Sequence, residues 1–145
     1  MGVVVSERVY SAIDRAWTAE QERSYLKSLS DRELFHVAVA NGGVIGCQSL
    51  ERYAPMFDSM AHVAHVGTFI LPAWRGRGVG PSLFERTRHF AVRAGYRKLV
   101  IYVRGSNTAA QSFYERLGFV KCGRLSRQVV IDGREDDEVF FELFL

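Results

Sequence analysis

The sequence predicts a mixed α/β protein with about six to seven strands and about four helices. Three observations lead to this class. An Asn-Gly turn at residues 41–43 separates two β-rich runs, which is the pattern of a hairpin. A glycine-rich turn at residues 76–80 follows a β-rich run and opens a segment with helical spacing. The last seven residues, 139–145, are apolar at nearly every position, so we expect a strand paired on both sides inside the sheet.

Local signals along the chain set the limits of the predicted elements. Pro72 ends the third β-rich run, and Gly95 fits the stop of the helix that follows. Asn107 is placed to cap the next helix, which Gly118 ends. In order, we predict a short strand at 3–5, helical structure at 10–29, strands at 35–40, 44–50 and 63–71, a helix at 79–94, a strand at 99–103, a helix at 108–117, and strands at 124–131 and 139–145.

Length and composition exclude several classes of protein. The 145 residues fit a single domain over 1–145, and 48% hydrophobic with 24% charged residues is typical of a globular chain rather than a disordered one. No run approaches the ~18 apolar residues of a membrane span, and the N-terminus lacks the pattern of a secretory signal. We therefore expect a cytoplasmic protein that does not engage membranes. Cys47 and Cys122 lack metal-ligand spacing and are predicted to be buried free thiols.

Charge is spread unevenly along the chain. Residues 65–104 contain eight basic residues and one acidic residue, a net charge of +7, whereas the whole chain carries +3. The remaining residues therefore carry a net charge of −4. Such an asymmetry favours an anionic partner, either nucleic acid or a phosphorylated ligand, although a solvated helix face would give the same count.

The glycine-rich turn runs Arg75-Gly76-Arg77-Gly78-Val79-Gly80 and opens a predicted helix. Alternating glycines let a ligand approach the backbone, and a helix N-terminus offers N–H groups and partial positive charge to phosphate. Arg75 and Arg77 add positive charge and bidentate hydrogen bonding. The turn lacks the Gly-Lys-Ser/Thr of a P-loop, and its glycine spacing differs from the dinucleotide-binding fingerprint.

A second motif follows the turn and, together with it, resembles the GNAT N-acetyltransferase superfamily. The family pattern Arg/Gln-x-x-Gly-x-Gly is matched at Arg75, Gly78 and Gly80. The family's downstream pattern, Asn-x-x-Ala-x-x-Phe-Tyr-x-x-x-Gly-Phe, is matched at Asn107, Ala110, Phe113, Tyr114, Gly118 and Phe119. The tail of the chain looks like that of members that acylate amino acids or small amines, including the phosphinothricin acetyltransferase group.

The resemblance implies a GNAT fold with a splayed, mostly antiparallel sheet, and acetyl-CoA as the cosubstrate. The pyrophosphate would lie on the N–H groups of residues 76–80, and the positive charge of the middle segment would steer the anionic cofactor. The pantetheine arm would pair with the strand before the turn, at Phe69, Ile70 and Leu71. Asn107 corresponds to a residue that contacts the pantetheine or a bound water.

The resemblance also implies direct attack of a neutral amine on the thioester. Tyr114 aligns with the usual general acid, which protonates the departing thiolate. His65 stands where the phosphinothricin-type pattern has its glutamate base, with His62 and Glu51 as alternatives. The acceptor pocket should be lined from the first helices and the 51–60 loop by aromatic and flexible apolar side chains, namely Trp17, Tyr25, Tyr53, Met56 and Phe57.

Other interpretations compete with the enzyme. A GNAT-fold protein could bind acyl-CoA as a sensor or partner domain without catalysis, and it would keep the turn but lose the acid. A nucleic-acid binder would use the basic face, but no recognised motif supports it, so we expect no nucleic-acid partner. We expect no metal site, because His62 and His65 would face opposite sides of a strand. Homodimers are common in the family, and the sequence leaves the oligomeric state open.

Overall fold

The computed structural model describes residues 6–7 and 15–145 of the chain. Two short 3₁₀ segments occur at Asp58–Met60 and Pro72–Trp74. The described helices are α1 (Ala19–Ser28), α2 (Val79–Arg93) and α3 (Thr108–Arg116), and the described strands are β1 (Leu34–Ala40), β2 (Gly43–Arg52), β3 (Val63–Ile70), β4 (Lys98–Arg104), β5 (Val120–Ile131) and β6 (Arg134–Phe144).

The chain forms two compact units, and the first comprises residues 17–99 with 144–145. Within it, β1 pairs antiparallel with β2, and β2 pairs antiparallel with β3. Asn41 and Gly42 join β1 to β2 and have φ angles of 52° and 75°. Positive φ at both central residues belongs to the turn that matches strand twist best, so the predicted hairpin is confirmed.

A polar row with a buried residue, Gln48, at its centre crosses the three strands beneath α2. His36, Gln48 and Thr68 are register partners on β1, β2 and β3. The Gln48 Nε2 donates to Thr68 Oγ1 at 2.8 Å, and His36 Nε2 lies 2.9 Å from Oγ1 of Thr87 on α2. Because Gln48 and Thr87 are fully buried, these bonds replace contacts with water and fix α2 over one face of the sheet.

Helix α1 covers the opposite face of the same strands. Its Tyr25 ring meets the Phe35 ring edge-on at 5.9 Å between centroids. Phe35 precedes His36 on β1, and successive residues of a strand point to opposite faces. α1 and α2 therefore lie on opposite sides of the β1–β3 sheet. The N-cap Thr18 and Gln21 form a capping box that starts α1.

The second unit comprises residues 100–143 together with the described residues 6–7 and 15–16. β5 pairs antiparallel with β6 through a turn in which Asp132 and Gly133 both have positive φ. Within this unit, the strand order is β4-β6-β5, so the last strand lies between β4 and β5. This order confirms the interior position that the apolar terminal run predicts. Its core-facing residues Val139 and Phe141 are buried.

An ion pair joins β4 to β6 within the second unit. Arg104 Nε donates to Asp136 at 2.8 Å, and both side chains are largely buried. Burial alone would raise the pKa of Asp136, but hydrogen bonds from Ser106 and Arg104 and the Arg104 charge lower it below its ordinary value. One of the eight basic residues in the middle segment is therefore neutralised in the interior and adds nothing to an anion-attracting surface.

Several sequence predictions need correction or lie outside the described residues. The strand predicted at 3–5 and the start of the helical segment, 10–14, are not among the described residues. Cys47 is buried as expected, but Cys122 is exposed, so its prediction was wrong. β5 begins at Val120 rather than at residue 124, because the β5–β6 ladder continues through an irregular step between Lys121 and Gly123. The β5–β6 turn also lets β6 begin at Arg134 rather than at residue 139.

Among the described helices, none is long and apolar enough to cross a membrane.

The interior position of β6 makes a prediction about stability. Phe141 is 0% exposed and Phe144, on the same strand, is 68% exposed. We expect Phe141→Ala to lower the free energy of unfolding by about 3–5 kcal/mol, because it removes a buried ring and leaves a cavity. Phe144→Ala is the matched control and should change it by less than about 1 kcal/mol. Urea denaturation measures both, and equal losses would contradict the placement of β6.

Candidate functional site

The turn after β3 is the first part of the candidate site. β3 ends at Ile70, and a 3₁₀ segment then leads to Arg75. Arg75 Nε donates to the Ile70 carbonyl at 3.0 Å, which ties the turn back onto the end of the strand. α2 begins at Val79, directly after Gly78, so the predicted order of strand, turn and helix is confirmed.

Two glycines give this turn its shape. Gly76 and Gly78 have φ angles of 70° and 80°, and no described atom lies within 4 Å of the position that a Cβ would take on either. The space beside the backbone is therefore open, and the left-handed conformation at both positions favours glycine. Gly78 is the N-cap of α2, whose first N–H groups have no partner within the helix. This arrangement can accept an anion.

The charge around the turn is positive. The Arg77 guanidinium lies over the Trp74 ring, 5.5 Å from its centroid, and the first turn of α2 contains no acidic residue. Stacking on Trp74 limits the positions that Arg77 can take, so its charge is held beside the glycines. The residues of the first unit that could hold a phosphate are Arg75, Gly76, Arg77, Gly78, Val79 and Gly80.

The predicted pantetheine strand is also present. Phe69 and Ile70 are the last strand residues opposite Cys47 and Gly46 of β2, and the Leu71 N–H donates to the Ile45 carbonyl at 3.0 Å. These contacts fix one edge of the segment against β2. Its backbone therefore has a defined position at the point where the chain enters the turn.

Helix α3 in the second unit carries the downstream motif. Asn107 caps it, since its Oδ1 accepts from the Ala110 N–H at 3.0 Å, as predicted. Tyr114 lies inside the unit, 6% exposed, with its ring between those of Phe113 and Phe119 at centroid distances of 4.9 and 5.5 Å. The packing holds the phenol in one orientation, as a positioned proton donor requires.

A carboxylate, a phenol and an imidazole meet on the α1 face of the first unit. The Tyr25 hydroxyl donates to Glu51 Oε1 at 2.7 Å, and Glu51 is the register partner of His65 across β2 and β3. Burial lowers the pKa of His65, and the Glu51 charge partly opposes this. Burial and the hydrogen bond to Glu51 raise the pKa of Tyr25 above its ordinary value. At neutral pH, the His65 imidazole is therefore neutral. It lies beside the side chain of Glu51, and the Tyr25 hydroxyl that bonds to Glu51 keeps its proton.

His62, the alternative base, lies outside β3, and only two of the five predicted acceptor-lining residues line the same cavity. His62 precedes β3, and its carbonyl accepts from the backbone N–H groups of Arg97 and Lys98, so the two histidines do not share a strand. In the described part of the chain, no group of three or more His, Cys, Asp or Glu side chains could hold a metal. Trp17 and Tyr25 line one open cavity, whereas Tyr53, Met56 and Phe57 are exposed and are not among its lining residues.

The sequence missed the bond between Tyr25 and Glu51. The sequence predicts Tyr25 as pocket lining and Glu51 as an alternative base, but nothing in it links the two residues. Their separation of 26 positions carries no local signal. One signal in the sequence could have placed Glu51. Residues of a strand alternate between its two faces, so Cys47, Ser49 and Glu51 share one face of β2, which is the face away from α2.

Comparison with known proteins shows the class to which this fold and turn belong. A family model described as Acetyltransferase (GNAT) family matches residues 6–119. The chain therefore belongs to the acetyltransferase (GNAT) family, and its mixed sheet with flanking helices is the GNAT fold.

Individual relatives support this membership. The chain is 26% identical over 136 residues to "Putative phosphinothricin acetyltransferase YwnH" of Bacillus subtilis, covering 92% of this chain and 82% of that protein. It is 28% identical over 109 residues to the L-methionine sulfoximine/L-methionine sulfone acetyltransferase of Salmonella typhimurium, covering 75% and 63%. The fold matches YncA of Salmonella typhimurium, solved with its cofactor acetyl-CoA, at a TM-score of 0.91 and 23% identity, covering 99% and 83%.

The pKa of His65 gives a prediction about the α1 face. By NMR titration, the His65 ring should titrate below the ordinary histidine range of about 6.5, because burial disfavours its charged form. Glu51→Gln should lower this pKa further, since it removes the negative charge that favours imidazolium. Asp31→Asn, on the exposed turn after α1, is the charge-matched control and should leave the pKa unchanged. A rise on Glu51→Gln would contradict the assigned contact.

Proposed function

We propose that this protein transfers the acetyl group of acetyl-CoA to the primary amine of a small molecule or amino acid. The observation that carries the proposal is the turn at Gly76 and Gly78, where positive φ angles and open space lie at the N-terminus of α2. A helix N-terminus with two flanking arginines suits the pyrophosphate of coenzyme A. Family membership supports the same ligand.

The residues proposed to bind the cofactor lie in the turn, at the end of β3, at the N-cap of α3 and within α3. The turn would hold the pyrophosphate through its backbone N–H groups, and the arginines would add charge. The end of β3 would pair with the amides of the pantetheine, and Asn107 at the start of α3 would contact the same arm. The proposed set is Phe69, Ile70, Leu71, Arg75, Gly76, Arg77, Gly78, Val79, Gly80, Asn107 and Tyr114.

The proposed chemistry needs one base and one acid. His65 takes a proton from the substrate ammonium, because its lowered pKa leaves the imidazole neutral and able to accept at neutral pH. The amine nitrogen then bonds to the thioester carbon, and the carbon–sulfur bond breaks. Tyr114 donates its hydroxyl proton to the departing thiolate. The nitrogen, positively charged after its attack, releases its second proton to solvent, and the products are an amide and coenzyme A. His65 returns its proton to solvent, Tyr114 takes one back, and one proton is released overall.

The setting of the protein is also a proposal. We infer that the two compact units are parts of one GNAT domain over 1–145, because the family match runs from one unit into the other. The two cysteines form no disulfide with each other, which fits a reducing compartment such as the cytoplasm. The proposal that the protein forms homodimers rests only on the fact that homodimers are common in the family.

Cofactor binding is tested by thermal unfolding. At 100 times its Kd, acetyl-CoA should stabilise the protein by about 2.7 kcal/mol, which raises Tm by several degrees at this size. Arg77→Ala should reduce the shift, because it removes a charge held beside the turn. Arg88→Ala, an exposed arginine farther along α2, is the charge-matched control and should keep it. No shift at millimolar acetyl-CoA would contradict the proposed function.

The role of Tyr114 is tested by turnover. Tyr114→Phe should lower kcat about 100-fold, because the proton donor is lost. Most of the acetyl-CoA-induced Tm shift should persist, because the residues of the turn and of the end of β3 that are proposed to bind the cofactor remain. Tyr96→Phe is the matched control, since the Tyr96 hydroxyl is buried without a partner among the described residues. Thiol release from coenzyme A measures both rates. An unchanged kcat would remove Tyr114 from the role, and a Tm shift without turnover on any amine would favour the non-catalytic acyl-CoA sensor.

A further inference from the structure

The cavity over α1 has a distinctive lining. Its volume is about 510 Å³, and the described residues around it are Trp17, Glu20, Gln21, Ser24 and Tyr25. The Trp17 and Tyr25 rings meet edge-on at 5.4 Å between centroids. The lining thus offers aromatic surface, neutral polar groups and one carboxylate. The basic side chains of α1, Arg23 and Lys27, are not among its lining residues.

A second carboxylate lies directly behind the wall of this cavity. The Tyr25 hydroxyl that helps to line it donates to Glu51 at 2.7 Å. Tyr25 therefore connects the cavity to the Glu51–His65 pair on the sheet. Glu22, on the same helix, is a third acidic residue near this face, because its charge acts on the Cys47 thiol of β2. Glu20, Glu22 and Glu51 thus contribute negative charge at three positions on the α1 side.

This negative charge discriminates between two kinds of amine. An ammonium is attracted by the carboxylates and gains cation–π energy from the aromatic rings. A carboxylate on the carbon next to that ammonium is repelled, and among the described lining residues no arginine or lysine is present to pair with it. The Salmonella relative, by contrast, is named for L-methionine sulfoximine and L-methionine sulfone, which are amino acids.

From this lining we infer that the acceptor is an amine without a carboxylate beside its nitrogen, rather than a free amino acid. This inference rests on the proposed acetyl transfer and narrows its substrate class. Glu20 and Glu51 are the residues that impose the preference, the first in the cavity lining and the second through Tyr25. His65 then receives the proton of a cationic amine that the same carboxylates have attracted.

The test compares matched pairs of acceptors on the intact chain. Each pair is an amino acid and its decarboxylated amine, namely L-methionine sulfone and phenylalanine with their counterparts, and acetylation is followed by thiol release. We expect kcat/KM to be at least about tenfold higher for the decarboxylated member, because a like charge is removed from an acidic site. Equal values, or a preference for the amino acids, would overturn the inference.

Two variants test whether the cavity lining causes the preference for decarboxylated amines. Glu20→Gln should reduce the ratio of the two kcat/KM values by about twofold to fivefold, the range expected for one exposed charge. Asp31→Asn removes the same charge from an exposed turn that does not line the cavity, and it should leave the ratio unchanged. Equal effects of the two variants would show that overall charge, rather than the cavity, sets the preference, and would overturn the assignment.

The result also separates this inference from the proposed function. If acetyl-CoA raises Tm but neither member of any pair is acetylated, the small-amine acceptor class is wrong while cofactor binding stands. If acetyl-CoA neither raises Tm nor supports turnover, acetyl transfer itself fails and the inference fails with it. Acetylation of the amino acids alone would support acetyl transfer and overturn only the narrowed class.

Discussion

The conformation of two glycines after β3 is the constraint on which the candidate site depends. At Gly76 and Gly78, positive φ angles turn the chain from a strand into a helix whose first N–H groups lack partners within the helix. Side chains with a Cβ are disfavoured there by roughly 1–2 kcal/mol each. The surrounding contacts hold the turn at both ends. Arg75 bonds to the end of β3. The hydrogen bond between His36 of the polar row and Thr87 of α2 fixes the helix to the sheet.

Local signals explain why much of the fold could be predicted. Asn41 and Gly42 define a hairpin through their own backbone preferences, and Asn107 caps α3 with its own side chain. The burial of the last strand could be inferred because seven nearly continuous apolar residues cannot remain exposed at an edge. Each of these inferences needs only neighbours in the sequence. The family motifs extended them to the turn and to Tyr114.

Long-range contacts explain what the sequence did not reveal. The bond between Tyr25 and Glu51 joins residues 26 positions apart, and the ion pair of Arg104 with Asp136 joins residues 32 positions apart. Counting charges placed Arg104 in a basic segment, whereas packing neutralises it in the interior. Cys122 was misplaced for a related reason. Its neighbours fit a strand, but they do not reveal that this part of β5 is exposed at nearly every position.

The unequal placement of the two thiols gives the chain a built-in reporter. Cys122 stands on the surface of β5, whereas Cys47 is buried on β2 and its pKa is raised, chiefly by burial. An alkylating reagent therefore reaches Cys122 in the native state, but it modifies Cys47 only when the β1–β3 sheet opens transiently. The rate at which Cys47 is modified, relative to that of Cys122, therefore measures how often the strands that carry His65 and lead into the glycine turn open locally.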